Sequence, residues 1–265
     1  MHRFFVEQTL SVGEVSVLPA TAHQIANVLR LRPGDTVALF DGSGGEWPAE
    51  LVRVDPRVTI ARLRGRQEPG REPSAALILC QALLKGDKFE WVLQKGTELG
   101  VSCFVPMVTQ RTIAAGHARS RETVAVERRE RWRRIVIEAA EQSGRTRVPA
   151  IAPPASIEAA LRGPTPAMVC WEGESERPFG TAWREALANQ PSDQPGVRVA
   201  IGPEGGLTAE EVVAAARAGA TITSLGRRTL RSETAALAAC AIALGGEAEY
   251  RSAMRESARQ APGRA

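Results

Sequence analysis

Beyond residue 73 the chain repeatedly interleaves short apolar runs with helical periods, and that alternation restricts it to an α/β layer fold with a mainly parallel sheet. The runs are Ala75 to Leu83, Cys103 to Met107, Ala167 to Trp171, Val197 to Ile201 and Thr221 to Leu225. Asp87 followed three positions later by Glu90 predicts a capping box, opening a helix with Phe89, Val92, Leu93 and Gly96 on one face. Thr208 with Glu211 predicts a second such box. A helix from about Thr123 to Gln142 puts Trp132, Ile135, Val136, Ala139 and Ala140 together. Its Arg128, Arg129, Arg131 and Arg133 alternate with Glu127 and Glu130 as a solvated face. The last helix, Ser232 to about Leu244, is almost wholly Ala, Leu, Ile and Cys, which predicts burial on all sides.

The first part of the chain follows a different pattern. Phe4 to Val6, Glu14 to Leu18, Thr36 to Phe40, Trp47 to Val54 and Val58 to Leu63 are short strands between turn signals, which suggests a small barrel. One short helix near Thr21 to Leu29 interrupts them, with Thr21 as its expected cap. Gly65 to Pro73 then abandons periodicity for charge, Gly and Pro, as an interdomain linker does. The expected domains are therefore residues 1–72 and 73–250, with a polar tail from Arg251 to Ala265 expected to be disordered.

Cys80, Cys103, Cys170 and Cys240 stand far apart in apolar runs and form no C-x-x-C pair. That pattern argues against a zinc site or a disulfide framework and fits reduced core thiols in a cytoplasmic protein. The most apolar run, Ala235 to Leu244, is too short to span a bilayer, so no membrane role is expected. A net charge of +4 is modest, but it is unevenly placed. Residues 73–150 hold 13 Lys+Arg against 8 Asp+Glu, whereas residues 151–250 hold 8 against 12, so the basic surface is local.

Two loops carry the strongest chemical signals. Val199-Ala200-Ile201-Gly202-Pro203-Glu204-Gly205-Gly206-Leu207-Thr208 is an apolar strand that breaks into a glycine turn and restarts as a capped helix. The missing side chains would let backbone N–H and C=O groups approach a ligand at the carboxyl end of a strand. Neither G-x-G-x-x-G nor G-x-x-x-x-G-K-[ST] occurs, so the dinucleotide and P-loop fingerprints are absent. Ser224-Leu225-Gly226-Arg227-Arg228-Thr229-Leu230-Arg231-Ser232-Glu233-Thr234-Ala235 is a second loop between a strand and a helix. Two adjacent strand ends bearing such loops define a crevice, while on a purely structural reading Ser232 caps the helix and Glu233 complements its dipole.

Gly202-Pro203-Glu204-Gly205-Gly206, Leu230 to Ala235, Lys85-Gly86-Asp87-Lys88-Phe89-Glu90-Trp91 with Lys95 to Gly100, and Glu138 to Arg145 together closely resemble the RsmE family. Those enzymes are SPOUT-type methyltransferases of uridine N3 in 16S rRNA. Arg3-Phe4-Phe5 and Val28 to Asp35 extend the resemblance to about residues 1–248. It implies an N-terminal PUA-like β-barrel and a C-terminal SPOUT domain, with a deep trefoil knot over about residues 197–250, in a homodimer acting on the 16S rRNA of the 30S subunit.

The resemblance also implies that bent S-adenosylmethionine is held by three segments. These are Cys170-Trp171-Glu172, Ile201-Gly202-Pro203-Glu204-Gly205-Gly206, and Ser224-Leu225-Gly226 with Leu230, Arg231, Glu233, Thr234 and Ala235. Arg231 is expected to orient the uracil and stabilise charge on its carbonyl oxygens, and Glu204 to accept a proton or, by preference, to hydrogen-bond within its loop. Arg3, Arg30, Arg32, Lys85, Lys88, Arg111 and Arg145 are the expected RNA contacts, and no metal is expected. The competing readings are a non-catalytic RNA-binding assembly factor, which leaves the paired glycine loops unexplained, and a doubly wound nucleotide enzyme, which the missing fingerprints disfavour.

Overall fold

The computed structural model describes residues 1–114, 126–190 and 195–245. The expected helix start at Thr123 and the tail from Arg251 to Ala265 lie outside the described residues. Two compact units emerge, one of Met1–Glu72 with Ile137–Val148 and one of Pro73–Val136 with Pro149–Ala265.

The first unit is a five-stranded sheet of β1 (Arg3–Phe5), β2 (Gly13–Val17), β3 (Thr36–Phe40), β4 (Trp47–Arg53) and β5 (Thr59–Leu63), in the order β1-β3-β4-β5-β2. All pairings are antiparallel except β1 on β3. Phe4 from one end strand and Val17 from the other share a core with Leu39, Leu51 and Leu63. The short helix α1 (Pro19–His23) starts two residues before the expected cap. Pro19 occupies its first turn, where a missing N–H costs nothing, so Thr21 caps nothing. A π-helical turn, Gln24–Val28, follows, and Arg30 leaves it at φ 54°.

Two expected RNA contacts are internal struts of this unit. Arg3 is paired with Glu46, donates to the Arg145 carbonyl at 2.8 Å and lies over the Phe40 ring. The Arg145 side chain is only 5% exposed and grips Glu72 through two nitrogens, at 2.7 and 3.2 Å, while Thr146 and Arg147 donate their N–H groups to the same carboxylate. Burial alone would raise the Glu72 pKa, but the Arg145 hydrogen bond and charge and those backbone donors hold it below the usual carboxylate range. Arg145→Ala should therefore cost about 3 kcal/mol of stability, by leaving a half-buried carboxylate without its cation. Urea titration checks this, and a midpoint equal to wild type would return Arg145 to the surface.

The second unit is a parallel sheet of β6 (Ala76–Ala82), β7 (Cys103–Val108), β8 (Ala150–Ile151), β10 (Ala167–Cys170), β11 (Gly196–Ile201) and β12 (Thr221–Thr223). Their order is β12-β10-β11-β6-β7-β8, with β9 (Ala155–Ser156) also on β7. The helices of the rest of the chain are α2 (Lys88–Leu99), α3 (Gln110–Ala114), α4 (Val126–Ser143), α5 (Ile157–Leu161), α6 (Phe179–Ala188), α7 (Ala209–Arg217) and α8 (Ser232–Gly245). α/β alternation is thus realised, every crossover returning its strand parallel. Phe89, Val92, Leu93 and Gly96 are buried on α2 as periodicity predicts, and Trp132, Val136, Ala139 and Ala140 on α4.

The capping box at Asp87 does not form. Gly86 at φ 56° delivers Asp87 with ψ near 3°, not the extended geometry that lets a cap reach its donor, and Glu90 pairs with Arg131 instead. The box at Thr208 and Glu211 is complete in both directions. Nor is α8 buried all round. Ala236, Ala239, Cys240 and Ala243 are buried, but Thr234, Ala241 and Ile242 are exposed, so an apolar stripe of the single chain lacks cover.

All four cysteines are free; Cys80 and Cys240 are buried as expected of core thiols, whereas Cys103 and Cys170 are only partly covered. Burial pushes the Cys80, Cys170 and Cys240 thiols up from 9.0 to about 12. An unfolded chain loses these protons first, so the stability they confer is complete below pH 9 and is lost as pH rises from 9 towards 12, by about 1.4 kcal/mol per pH unit for each thiol. Cys240→Ala should flatten the alkaline slope of unfolding free energy by one such increment, whatever its offset. Parallel slopes for wild type and variant in denaturant titrations from pH 9 to 11 would refute this assignment.

Candidate functional site

Three neighbouring strands end at one pocket. The glycine loop leaves β11 and the Ser224–Arg231 loop leaves β12, but these two strands are not adjacent as expected, because β10 lies between them. The carboxyl end of β10 supplies the floor. The Trp171 backbone N–H donates to the Thr223 carbonyl at 3.0 Å, fastening β10 to β12 at that point. Pocket formation at the carboxyl ends of parallel strands is the usual consequence of crossovers that place helices on the faces and loops at the ends.

Of the expected cofactor residues, the pocket brings together Cys170, Trp171 and Glu172 from the floor and Ile201 through Gly206 from the glycine loop. Ser224, Leu225, Gly226, Leu230 and Ala235 close the third side. Arg231, Glu233 and Thr234 do not line it. Arg228, Thr229 and Ser232 do, and the sequence reading had not assigned them to the cofactor. Ser232 has a legible signal, being a polar group at the head of an otherwise apolar helix. Arg228 has none beyond its place in the loop.

Ser232 does not cap α8. Its hydroxyl donates to the Gly202 carbonyl, and it accepts the Gln81 Nε2 at 3.0 Å from the end of β6. The serine therefore crosslinks the head of α8 to the glycine loop, with a fully buried glutamine behind it. On the other side of the loop, the Arg111 guanidinium donates to the Gly205 carbonyl. Arg111 is positioned in turn by the residue before it, since the Gln110 N–H bonds Glu211 Oε1 at 2.9 Å while Glu211 Oε2 holds the Thr208 N–H at 3.0 Å. A buried carboxylate at the α7 cap thus braces both flanks of the turn. Arg111, expected as an RNA contact, holds the loop.

Gly206 adopts φ 74°, and a Cβ there would lie 2.4 Å from Glu172 Oε1 and 3.4 Å from an Arg111 nitrogen. The glycine is thus required by backbone conformation, whereas the carboxylate against it is the movable end of an exposed side chain. Glu204, expected to bond within its own loop or to take a proton, accepts the Lys85 N–H at 2.9 Å and so reaches outside the loop. Arg30, Arg32 and Lys85 are exposed, and Lys88 is partly so. The charged groups lining the pocket are Glu172, Glu204 and Arg228.

This set of groups fits S-adenosylmethionine. Backbone N–H and C=O groups bared at four glycines can meet the polar edges of an adenosine, and two carboxylates suit a ligand bearing a sulfonium. Cys170 in the floor carries the only sulfur among the described pocket-lining residues. Burial keeps it a neutral thiol, up to about 12, and its Sγ lies 3.7 Å from the Thr223 hydroxyl, so no thiolate faces the site. Among the described residues no group of three or more His, Cys, Asp or Glu is placed to hold a metal, and no helix is long and apolar enough to cross a membrane.

Comparison with known proteins adds the following. A family model of the RNA methyltransferase domain matches residues 71–244, and one of the RNA methyltransferase PUA domain matches residues 20–59. Ribosomal RNA small subunit methyltransferase E of Bacillus subtilis is 32% identical over 244 residues, covering 89% of this chain and 93% of that protein. The protein of the same name from Synechocystis is 34% identical over 231 residues, covering 86% of this chain and 71% of its own. Among solved structures, ribosomal RNA small subunit methyltransferase E from Neisseria gonorrhoeae bound to S-adenosyl methionine superposes with a TM-score of 0.77 at 33% identity, over 91% of this chain and 95% of that one. A Legionella pneumophila protein with the bound cofactor SAM gives 0.79 at 29% identity, over 92% and 97%.

Proposed function

The chain belongs to the ribosomal RNA small subunit methyltransferase E family of RNA methyltransferases, and from that premise we propose that it methylates N3 of a uridine in 16S rRNA. The observation that carries this reading is the pocket where β10, β11 and β12 end, walled by bare backbone and two carboxylates. S-adenosylmethionine, when bound there, supplies a methyl group already activated by its sulfonium.

The protein's own part is to bind, orient and exclude. The glycine loop and the loop after β12 hold the donor through backbone groups, with Ser232 and Arg111 fixing the glycine loop in place. Arg231, exposed beside the pocket, is free of the donor's walls and is the group proposed to orient the uracil and stabilise charge on its oxygens as the N3 proton leaves. Because methyl transfer to a base requires it to be unstacked and held in line, a second set of contacts must grip the RNA. Arg30, Arg32 and Lys85 are proposed for that role, with residues 1–72 as the RNA-binding module. Arg3 and Arg145 are withdrawn from it.

Two further features belong to this reading. The trefoil knot over about residues 197–250 is supported by the path of the chain, which leaves β12 at the sheet edge and returns across β10 to pack α8 against β11, β6 and α2. A homodimer is supported by the uncovered apolar stripe of α8 at Ala241 and Ile242, and a cytoplasmic location is proposed from the ribosomal RNA substrate. The deciding experiment is mass mapping of modified uridines in 16S rRNA from cells with and without the protein. Identical maps would refute the proposed reaction, and S-adenosylmethionine binding by calorimetry separates an enzyme from an RNA-binding factor.

A further inference from the structure

The two loops that wall the pocket are tied together on a second level by a lysine. Lys88, in the first turn of α2, places Nζ 3.7 Å from Glu204 Oε1 and 3.6 Å from Glu233 Oε1. Glu204 belongs to the glycine loop and Glu233 to the first turn of α8, beside the pocket-lining Ser232 and Ala235, so one ammonium ties the glycine loop to the helix head that carries part of the opposite wall. The same Glu204 oxygen accepts the Lys85 N–H at 2.9 Å, which anchors the start of the α2 segment to the loop. Glu233 is only 13% exposed at its side chain, and its other oxygen, Oε2, is buried with no hydrogen-bond partner. Without Lys88, that carboxylate would lose the cation facing it.

A lysine that grips a phosphate presents its ammonium where anions can approach. Lys88 instead sits between two carboxylates, and the three groups together carry a net charge of −1, so a phosphate would meet repulsion there. The bridge also duplicates the inner crosslink, in which Gln81 holds Ser232 and Ser232 holds Gly202. Both join the glycine loop to the head of α8, one through neutral groups below the pocket and one through charges beside it.

We propose that Lys88 is a positioning residue of the donor pocket, a latch that fixes the separation of its two walls, and not a contact to RNA. The inference rests on the donor-pocket reading above. Its consequence is a division of effects, since removing the latch loosens the pocket but leaves the RNA surface unaltered.

The test uses the full-length protein and four variants: Lys88→Met, Lys88→Arg, Glu233→Gln and the Lys88→Met/Glu233→Gln pair. S-adenosylmethionine affinity is measured by calorimetry, KM for donor and for RNA by methyl transfer, and RNA affinity across a salt series. Lys88→Met should weaken donor binding about five- to tenfold, the range of two partly exposed ion pairs, with an unchanged RNA KM. Lys88→Arg should restore most of the loss. The double variant should bind the donor no worse than Lys88→Met, because the two groups act through one bridge. The salt slope of RNA binding should match wild type.

Unaltered donor affinity in Lys88→Met, with a salt slope smaller by about one, would make Lys88 a phosphate contact and overturn the latch. Donor affinity that falls together with the melting temperature of the ligand-free protein, and that arginine does not rescue, would also overturn it. Wild-type protein that binds no S-adenosylmethionine fails the underlying reading itself, a result distinct from both.

Discussion

Gly206→Ala is expected to weaken S-adenosylmethionine binding about 5- to 30-fold while leaving the protein folded. The backbone at Gly206 sits at φ 74°, where an L-residue with a Cβ costs roughly 1–2 kcal/mol. The new methyl would also lie 2.4 Å from Glu172 Oε1, so the carboxylate must swing out of a pocket it lines. That side chain is exposed and its carboxylate is a movable end, so its displacement adds little and the backbone strain sets the expected range. Gly205 supplies the control. Its φ is not positive, and a Cβ there would meet the Arg111 side chain no closer than 3.3 Å, so Gly205→Ala should weaken binding by less than about threefold. Calorimetric titration of both variants settles the matter, and a Gly206→Ala affinity close to that of wild type would mean that the donor does not depend on this turn.

The second large effect is catalytic. Arg231→Ala should lower kcat by about 10²–10³, the usual loss when one preorganised donor to a developing oxyanion is removed. Donor affinity should stay at the wild-type level, because the Arg231 side chain is exposed and does not line the pocket. Lysine at this position should recover only part of the rate, since an ammonium lacks the planar fork that can face two groups of a uracil. Single-turnover kinetics with saturating donor separate these outcomes. Normal turnover in Arg231→Ala would end the assignment, and so would a variant that loses the donor instead of the rate.

Where sequence and structure part company, the cause is the same each time. Thr208 and Glu211 lie three residues apart and meet by helical geometry alone, so their capping box was legible. Asp87 and Glu90 have the same spacing, but Gly86 turns the chain and Arg131 competes for Glu90 from another helix. Five strands of the parallel sheet were placed within a residue or two at each end, since continuous apolar runs mark strands buried on both faces, whereas the two-residue β8 and β9 are too short to show such a run. Their lateral order was not, and so β10 went unseen between the two loops it floors. The exposed stripe on α8 escaped a composition argument because apolar content does not say which neighbours are present in one chain.

The charged residues show the division most sharply. Arg3, Arg145, Arg111 and Lys88 looked alike in the sequence, as basic residues within motifs, and three kinds of partner separate them. Arg3 and Arg145 hold Glu46 and Glu72 inside the first unit, Arg111 holds a loop carbonyl, and Lys88 bridges two carboxylates. By itself the sequence determined the α/β alternation, the helix and strand periods, the glycine loops and the family, because these depend on the order of neighbouring residues. Only the tertiary structure decided which cations are struts, which latch the pocket and which remain on the surface. A charge takes its role from whatever residue distant in sequence packs within a few ångströms of it, and burial then fixes how strongly the two interact.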